Sequence, residues 1–127
     1  MAPKIPPQKN IPAGQGAGSP RGAGAVLARH NQSPRKVRLV ANLVKGKKVP
    51  EALAALAFLP QRAAEPVAKL IRSAAANAKQ KGEDPDALVV KNVTVESAGM
   101  LKRYMPRAFG RASLIRRRAS RLRVTLA

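Results

Sequence analysis

The stretch that decides the fold is residues 98–118, which read Ala-Gly-Met-Leu-Lys-Arg-Tyr-Met-Pro-Arg-Ala-Phe-Gly-Arg-Ala-Ser-Leu-Ile-Arg-Arg-Arg. The wider segment 97–123 holds nine Lys or Arg residues and no Asp or Glu. A segment with so much charge and so few large apolar residues cannot bury itself in a core of its own. Because strand-like stretches flank it on both sides, the sequence predicts an arm, residues 97–118, that projects from the fold toward a polyanion.

The two flanking stretches alternate apolar and polar residues with the period of a β-strand. In residues 88–96, Val93 and Val95 fall on one face, and in the last strand Leu122, Val124 and Leu126 do the same. If the chain turns back near 106–107, paired residue numbers sum to about 213, so that residues 88–96 lie opposite 117–125 in an antiparallel pair. Continued outward, this register predicts a tip at about residues 103–110 and an arm roughly 35 Å long.

The first half of the chain begins with a predicted strand at residues 25–30, followed by a predicted helix. Ser33 is the expected N-cap, Pro34 the first helical residue and Gly46 the residue that ends the helix. Apolar residues recur at i, i+3, i+4 and i+7 and predict one buried face, made of Val37, Val40, Ala41 and Val44.

Two more helices and a turn follow. Residues 50–58 predict a short helix and residues 63–81 a longer one, whose buried stripe is Val67, Leu70, Ile71, Ala74, Ala75 and Ala78. Gly82 is expected to end the longer helix, and the acidic residues 83–86 form a turn.

Charge separates the chain into three parts. A chain of 127 residues has room for one small domain. It carries 25 Lys plus Arg against 6 Asp plus Glu, and this formal net charge of +19 indicates polyanionic partners. Residues 1–50 hold ten basic residues and no acid, residues 51–96 hold six of each, and residues 97–127 hold nine and none. A neutral body with two polycationic ends is typical of nucleic-acid binding. A membrane-surface peptide would need a bulky aromatic face, and the chain has no Trp, one Tyr and two Phe.

Residues 1–24 contain five prolines and five glycines and predict a basic, flexible extension. It either orders along a phosphate backbone or remains a solvated tail. Residues 25–127 are expected to form a single domain that includes the arm.

The sequence offers little for catalysis or cofactors. His30 is the single histidine, cysteine is absent, and no glycine-rich phosphate loop joins a strand to a helix. No catalytic residue, metal ligand or cofactor is therefore expected. The acids of the 83–86 turn leave open one alternative, an enzyme that cleaves RNA with a metal held by Asp84 or Asp86. A free-standing nucleic-acid chaperone is the other alternative.

Cations in the helix and the arm are the candidate RNA contacts, because guanidinium groups match phosphate oxygens and base edges. Cations in the first turns of the first helix oppose the helix dipole, which suggests an external anion. The candidates are Arg35, Lys36, Arg38, Lys45, Lys47, Lys48, Lys102, Arg103, Arg107, Arg111, Arg116, Arg117, Arg118, Arg121 and Arg123. Tyr104 and Phe109 near the tip either stack on bases or pack against each other or Met100 and Met105.

Several separate motifs carry a resemblance to a known family. They are Ser-Pro-Arg-Lys-Val-Arg-Leu-Val-Ala at 33–41, Glu-Ala-Leu at 51–53, Ala-Ala-Glu-Pro at 63–66, Ser-Ala-Ala-Ala-Asn-Ala at 73–78, Leu-Lys-Arg-Tyr-Met-Pro-Arg-Ala at 101–108 and Gly-Arg-Ala at 110–112. In order and spacing, residues 25–126 resemble the L22 family of large-subunit ribosomal proteins, bacterial type. The resemblance implies an α+β body of three helices on a three-stranded antiparallel sheet, with a long β-hairpin arm.

The resemblance also implies a function and partners. It implies a structural constituent of the large (50S) ribosomal subunit in the cytoplasm, which binds 23S ribosomal RNA and lines the peptide exit tunnel with its hairpin. Implied partners are that RNA, neighbouring ribosomal proteins including L4 at the tunnel constriction, and the nascent peptide; no membrane span and no homo-oligomer are expected. The implied tunnel-lining tip is Arg103, Tyr104, Met105, Pro106, Arg107, Ala108, Phe109, Gly110 and Arg111.

The chain departs from the family pattern at two places. Residues 96–99 read Glu-Ser-Ala-Gly where the family commonly has an acid followed by Gly-Pro, so a different bend is expected there. Phe109 stands where a basic residue is frequent.

Overall fold

The computed structural model describes residues 22–127, so the predicted extension, apart from its last three residues, lies outside the described residues. Three strands and three helices follow one another along the chain. In order they are β1 (Gly24–His30), α1 (Pro34–Val44), α2 (Val49–Phe58), α3 (Ala64–Gln80), β2 (Val90–Pro106), a single 3-10 turn (Ala108–Gly110) and β3 (Ala112–Leu126). Each predicted helix and strand is present within about two residues of its predicted bounds, except that the strands flanking the arm continue through it.

The sheet has the order β1-β3-β2 and both pairings are antiparallel. Helices α1 and α3 pack on one face of the sheet, and α2 packs mainly against α3. The predicted α+β class, with three helices, a three-stranded antiparallel sheet and a long hairpin, is confirmed. Because β1 pairs only with the inner part of β3, the outer parts of β2 and β3 extend beyond the sheet as a two-stranded ribbon.

The predicted register of the ribbon is wrong by about four residues. Val93 lies opposite Val124 and Ser97 opposite Ser120, so paired numbers sum to 217 rather than about 213. Beyond the body the sum is 218, as in the pair of Met100 with Arg118. The chain therefore turns at Phe109 and not at 106–107, because Phe109 and Gly110 adopt positive φ angles of 60° and 68°. Positive φ at both central residues is the geometry of tight hairpin turns, whereas proline has a fixed negative φ.

The core is formed by the predicted apolar faces. Val37, Val40, Ala41 and Val44 of α1 are at most 1% exposed, and Ile71 of α3 is fully buried. They meet the inward residues of β3, namely Leu122, Val124 and Leu126, which are also fully buried. Burying a side chain of this size contributes about 1.5–3 kcal/mol, so the body has a core that does not depend on the arm.

The ends of α1 differ in part from the expectation. Ser33 is the N-cap residue, but its hydroxyl makes no capping hydrogen bond, so the predicted side-chain cap is wrong. The amides of Lys36 and Val37 instead point to the Ser33 carbonyl, at 3.1 and 3.3 Å. At the other end Gly46 has φ of 77°, and its amide donates to the carbonyl of Val90 at 2.8 Å. The end of the helix is thus bonded to the start of β2.

Candidate nucleic-acid interface

The arm is exposed over its whole outer length. Residues 99–112 are all exposed, and the strands remain paired out to Pro106 opposite Ala112. At roughly 3.3 Å per residue, the strand from Met100 to Pro106 extends about 20 Å beyond the last residues that β1 covers. Backbone pairing thus holds a ribbon that has no core, and its side chains are available on both faces.

Each face of the arm mixes cations with apolar side chains. Because side chains alternate along a strand and cross-strand partners share a face, the pairs fall into two sets. One face carries Met100, Lys102, Tyr104, Leu114, Arg116 and Arg118; the other carries Leu101, Arg103, Met105, Ser113, Ile115 and Arg117. A surface with charge on one side only would suit a flat polyanion, whereas this ribbon is suited to a crevice with phosphates on both sides.

The apex is a tight loop. The Arg107 amide donates to the carbonyl of Arg111 at 2.7 Å, and the Arg111 amide donates to that of Ala108 at 3.4 Å. The Arg107 Nε donates to the Ser113 hydroxyl at 3.1 Å. Phe109 is 99% exposed, so of the two alternatives for this side chain, packing against other tip residues is not observed. The positive φ of Phe109 stores backbone strain of about 1–3 kcal/mol, and its exposed ring is available for contact with a partner.

A basic groove lies where the arm leaves the body. It has a volume of about 460 Å³ and is lined by residues of β1, the β1–α1 turn, α1 and both arm strands. The lining residues are Arg29, Asn31, Gln32, Ser33, Lys36, Leu101, Arg116, Arg117 and Arg118. Five are cations and none is an acid. We call this site the arm-base groove.

The arm-base groove brings together four of the predicted RNA contacts and adds one that was missed. Lys36 was predicted from its place in the first turns of α1 and the three arginines 116–118 from the charge of the arm, but Arg29 was not predicted. Arg29 lies in a short apolar strand and looks like an isolated surface charge in the sequence. Its position next to the arm arises only because β1 pairs with β3, which no local pattern indicates.

A second hollow of about 430 Å³ adjoins the arm-base groove on the α1 side. It is lined by Ser33, Pro34, Arg35, Arg38, Ser97 and Arg118. Arg118 borders both hollows, so the cations predicted at the first turns of α1 and those of the arm form one continuous basic surface.

Arg38 has a role within the protein that the sequence did not indicate. Its Nε and Nη2 donate to the carbonyl oxygen of Val95 at 3.3 and 3.2 Å. A guanidinium has five N–H donors, so the rest of the group is still available for an anion. Arg38 is therefore a poorer candidate for a purely RNA-binding residue than Arg35, which lines the same hollow.

The remaining predicted contacts lie apart from the groove. Lys45, Lys47 and Lys48 are exposed at the opposite end of α1, where the Lys47 carbonyl accepts a bond from Val90 at 2.9 Å. Arg121 and Arg123 alternate with core residues of β3 and so lie on the sheet face that the helices do not cover. Arg121 is opposite Glu96, and Arg123 lies between Val26 and Thr94.

Features of other kinds of site are sparse in residues 22–127. Within that range no three His, Asp or Glu side chains are grouped so as to hold a metal ion. The Asp84 carboxylate accepts a bond from the Asp86 amide at 3.2 Å, as in an ordinary turn. The ring of His30 contacts the amide oxygen of Gln32 at 3.1 Å. None of the helices described is both long and apolar enough for a membrane span.

Fold and charge together define a class: a small α+β body that carries an extended, polycationic hairpin. Comparison with known families identifies the family within that class to which the chain belongs. Residues 25–127 match the family model described as ribosomal protein L22p/L17e, and the chain belongs to this family. The family consists of ribosomal proteins, which are structural constituents of the ribosome and not a class of enzymes.

Individual relatives agree with the family match. The chain is 54% identical over 103 residues to the large ribosomal subunit protein uL22 of Pelobacter propionicus, covering 80% of this chain and 93% of the relative. It is 51% identical to uL22 of Geobacter sulfurreducens over 106 residues, 83% of this chain and 96% of the relative. The uL22 protein of Anaeromyxobacter sp. is 46% identical over 124 residues, 96% of this chain and 85% of the relative.

Proposed function

We propose that this protein is a structural constituent of the large ribosomal subunit, in the cytoplasm, and binds the 23S ribosomal RNA. The observation that carries the proposal is the acid-free basic surface that runs from the first turns of α1 through the arm-base groove onto the arm. Its mechanism is the neutralisation of phosphates and the filling of space between RNA segments, with no chemical turnover.

The two parts of the arm have different roles in this proposal. The base, with three consecutive arginines at 116–118, anchors the protein in RNA. The tip, residues 103–111, lines the peptide exit tunnel near protein L4 and faces the nascent peptide. This division is supported by the exposure of the whole tip and by its mixture of cationic, aromatic and methionine side chains, which suits a wall that contacts changing sequences.

The proposal is tested by binding of the full chain to 23S ribosomal RNA at several salt concentrations. If about eight phosphates are contacted, the logarithm of the affinity falls against the logarithm of salt with a slope of roughly −6 to −7. A slope near zero would contradict charge-based RNA binding. A protein that binds unrelated nucleic acids equally well, and does not co-sediment with large subunits, would be a nucleic-acid chaperone instead.

A pair of variants tests the division between base and tip. The observed register shows that a symmetrical shortening replaces residues 103–115 by Asn-Gly, which joins Lys102 to its partner Arg116 through a two-residue turn. This variant is expected to keep a folded body and most RNA affinity. The double change Arg117→Glu and Arg118→Glu is expected to weaken RNA binding more than the shortening does. An equal or smaller loss would count against anchoring at the base.

A further inference from the structure

The arm joins the body at an irregularity in the sheet. Ser97 opposite Ser120 is the last regular pair of the body, and the next pair is Met100 opposite Arg118. Two residues of β2, Ala98 and Gly99, therefore face one residue of β3, which is a β-bulge. Gly99 has φ of 90° and open space around its α-carbon. The strand β1 ends here too, at His30, so the third strand no longer supports the ribbon beyond this point.

The arm-base groove spans this junction. Its body side contributes the cations Arg29 and Lys36, and its arm side contributes Arg116, Arg117 and Arg118. Like charges on the two sides of a bulge repel each other, and in the absence of an anion this repulsion favours an arm that moves away from the body. At physiological salt, charges interact over about 8 Å, which is enough to act across a groove of this size.

We infer that the arm-base groove is a phosphate-binding clamp whose occupancy fixes the orientation of the arm relative to the body. Phosphate groups held between the body cations and the arm cations convert repulsion across the junction into attraction. The inference rests on the proposed RNA binding, because RNA supplies the phosphates. The clamp adds a consequence that RNA affinity alone does not require. The RNA segment bound by the body determines the direction in which the arm, and therefore its tip, points.

The groove has the size and chemistry for this ligand. Its volume of about 460 Å³ is within the range of sites for small molecules. Four of the five cations are arginines, whose planar forks bind phosphate oxygens in pairs, and Asn31, Gln32 and Ser33 add neutral hydrogen-bonding groups. Leu101 is the only apolar residue of the lining, which indicates a polar ligand.

The arm orientation can be measured directly because the chain has no cysteine. Spin labels on Ala76→Cys, exposed on α3, and Ala112→Cys, exposed on the arm, report the distance between body and arm by pulsed electron resonance. Inorganic pyrophosphate serves as the probe anion, with sodium chloride of equal ionic strength for comparison. The distance distribution is expected to be broad in chloride and to narrow with pyrophosphate.

Matched variants separate the clamp from general charge effects. Arg29→Gln with Lys36→Gln removes the body side of the clamp and is expected to abolish the narrowing and to weaken pyrophosphate binding about tenfold. Arg62→Gln with Lys91→Gln removes the same charge from exposed sites outside the groove. In this control, pyrophosphate is expected to narrow the distance distribution as it does in the unaltered chain. A distribution that is already narrow in chloride, or one that narrows equally in both variants, would overturn the clamp.

The same samples distinguish failure of the clamp from failure of the proposed function. If the unaltered chain binds 23S ribosomal RNA but neither pyrophosphate nor that RNA narrows the distribution, the clamp is wrong and the RNA-binding function stands. If the unaltered chain does not bind the RNA, the proposed function fails, and with it the source of the phosphates on which the clamp depends.

Discussion

The guanidinium of Arg38 donates two hydrogen bonds to the carbonyl oxygen of Val95, from Nε at 3.3 Å and from Nη2 at 3.2 Å. β2 is an edge strand, so carbonyls on its outer side have no strand partner. Arg38, on α1, donates to the carbonyl of Val95, which lies two residues before Ser97 in the last body pair of β2. A residue that looks like an RNA contact in the sequence thus also fixes α1 against the strand that carries the arm.

Replacing Arg38 by Ala is therefore expected to lower the free energy of unfolding by about 1–2 kcal/mol, because two charge-assisted bonds to one carbonyl are lost. Arg35→Ala, exposed on the same helix, is the matched control and is expected to cost less than about 0.5 kcal/mol. Urea denaturation followed by circular dichroism measures both. Equal effects of the two substitutions would show that the Val95 bonds contribute nothing.

Gly22 is expected to be intolerant of any side chain. A β-carbon there would lie 2.6 Å from the carbonyl oxygen of Leu126, and φ is 132°. Gly22→Ala should lower the free energy of unfolding by about 2–3 kcal/mol, since backbone strain and a clash with the backbone add together. Gly82→Ala, at φ of 83° with open space around it, isolates the strain and should cost about 1 kcal/mol. Thermal unfolding of both variants checks the difference, and a Gly82→Ala cost as large as that of Gly22→Ala would contradict the steric part.

Phe109 is expected to weaken the loop in which it lies, because its φ of 60° places a bulky residue in the left-handed region. Phe109→Gly relieves this strain, and the greater conformational entropy of glycine in the unfolded loop offsets part of the gain. Hydrogen exchange of the Arg107 amide, which donates to the Arg111 carbonyl, should therefore slow by roughly twofold to fivefold. Tyr104→Gly, in the paired part of β2, should have the opposite effect. Faster exchange in Phe109→Gly would mean that the aromatic ring supports the turn.

An exposed ion pair on α3 gives a pH effect of known sign. Lys69 Nζ lies 2.9 Å from Glu65 Oε1, and this hydrogen bond and the lysine charge lower the pKa of the Glu65 carboxyl. A lowered pKa in the folded state means that the pair contributes stability above the ordinary carboxyl pKa and loses it as the pH falls through the lowered value.

Nuclear magnetic resonance titration measures this effect at the carboxyl itself. In Lys69→Gln, the pKa of Glu65 is expected to rise toward its ordinary value, and high salt should raise it in the unaltered protein as well. Lys79→Gln, in the last turn of the same helix, should leave the pKa of Glu65 unchanged. An unchanged titration in Lys69→Gln would show that the ion pair does not persist in solution.

Much of the architecture could be predicted because it depends on local patterns. The apolar faces of α1 and α3 repeat at the helical period and are buried, and the glycines at 46 and 82 end their helices with positive φ. The register could not be predicted so well. Pro106 is the stronger turn signal in the sequence, but Phe109 adopts a conformation that is rare for its residue type, and this moves every pair by about four residues.

The sequence by itself determined that a neutral body carries an acid-free, polycationic hairpin, because charge and periodicity are properties of the chain that folding does not alter. Only the tertiary structure decided which cations act together. Arg29 and Lys36 meet Arg116, Arg117 and Arg118 because β1 pairs with β3 and α1 packs beside β2 at the root of the arm. Such a site depends on contacts between residues almost ninety positions apart, and no local pattern encodes contacts over that distance.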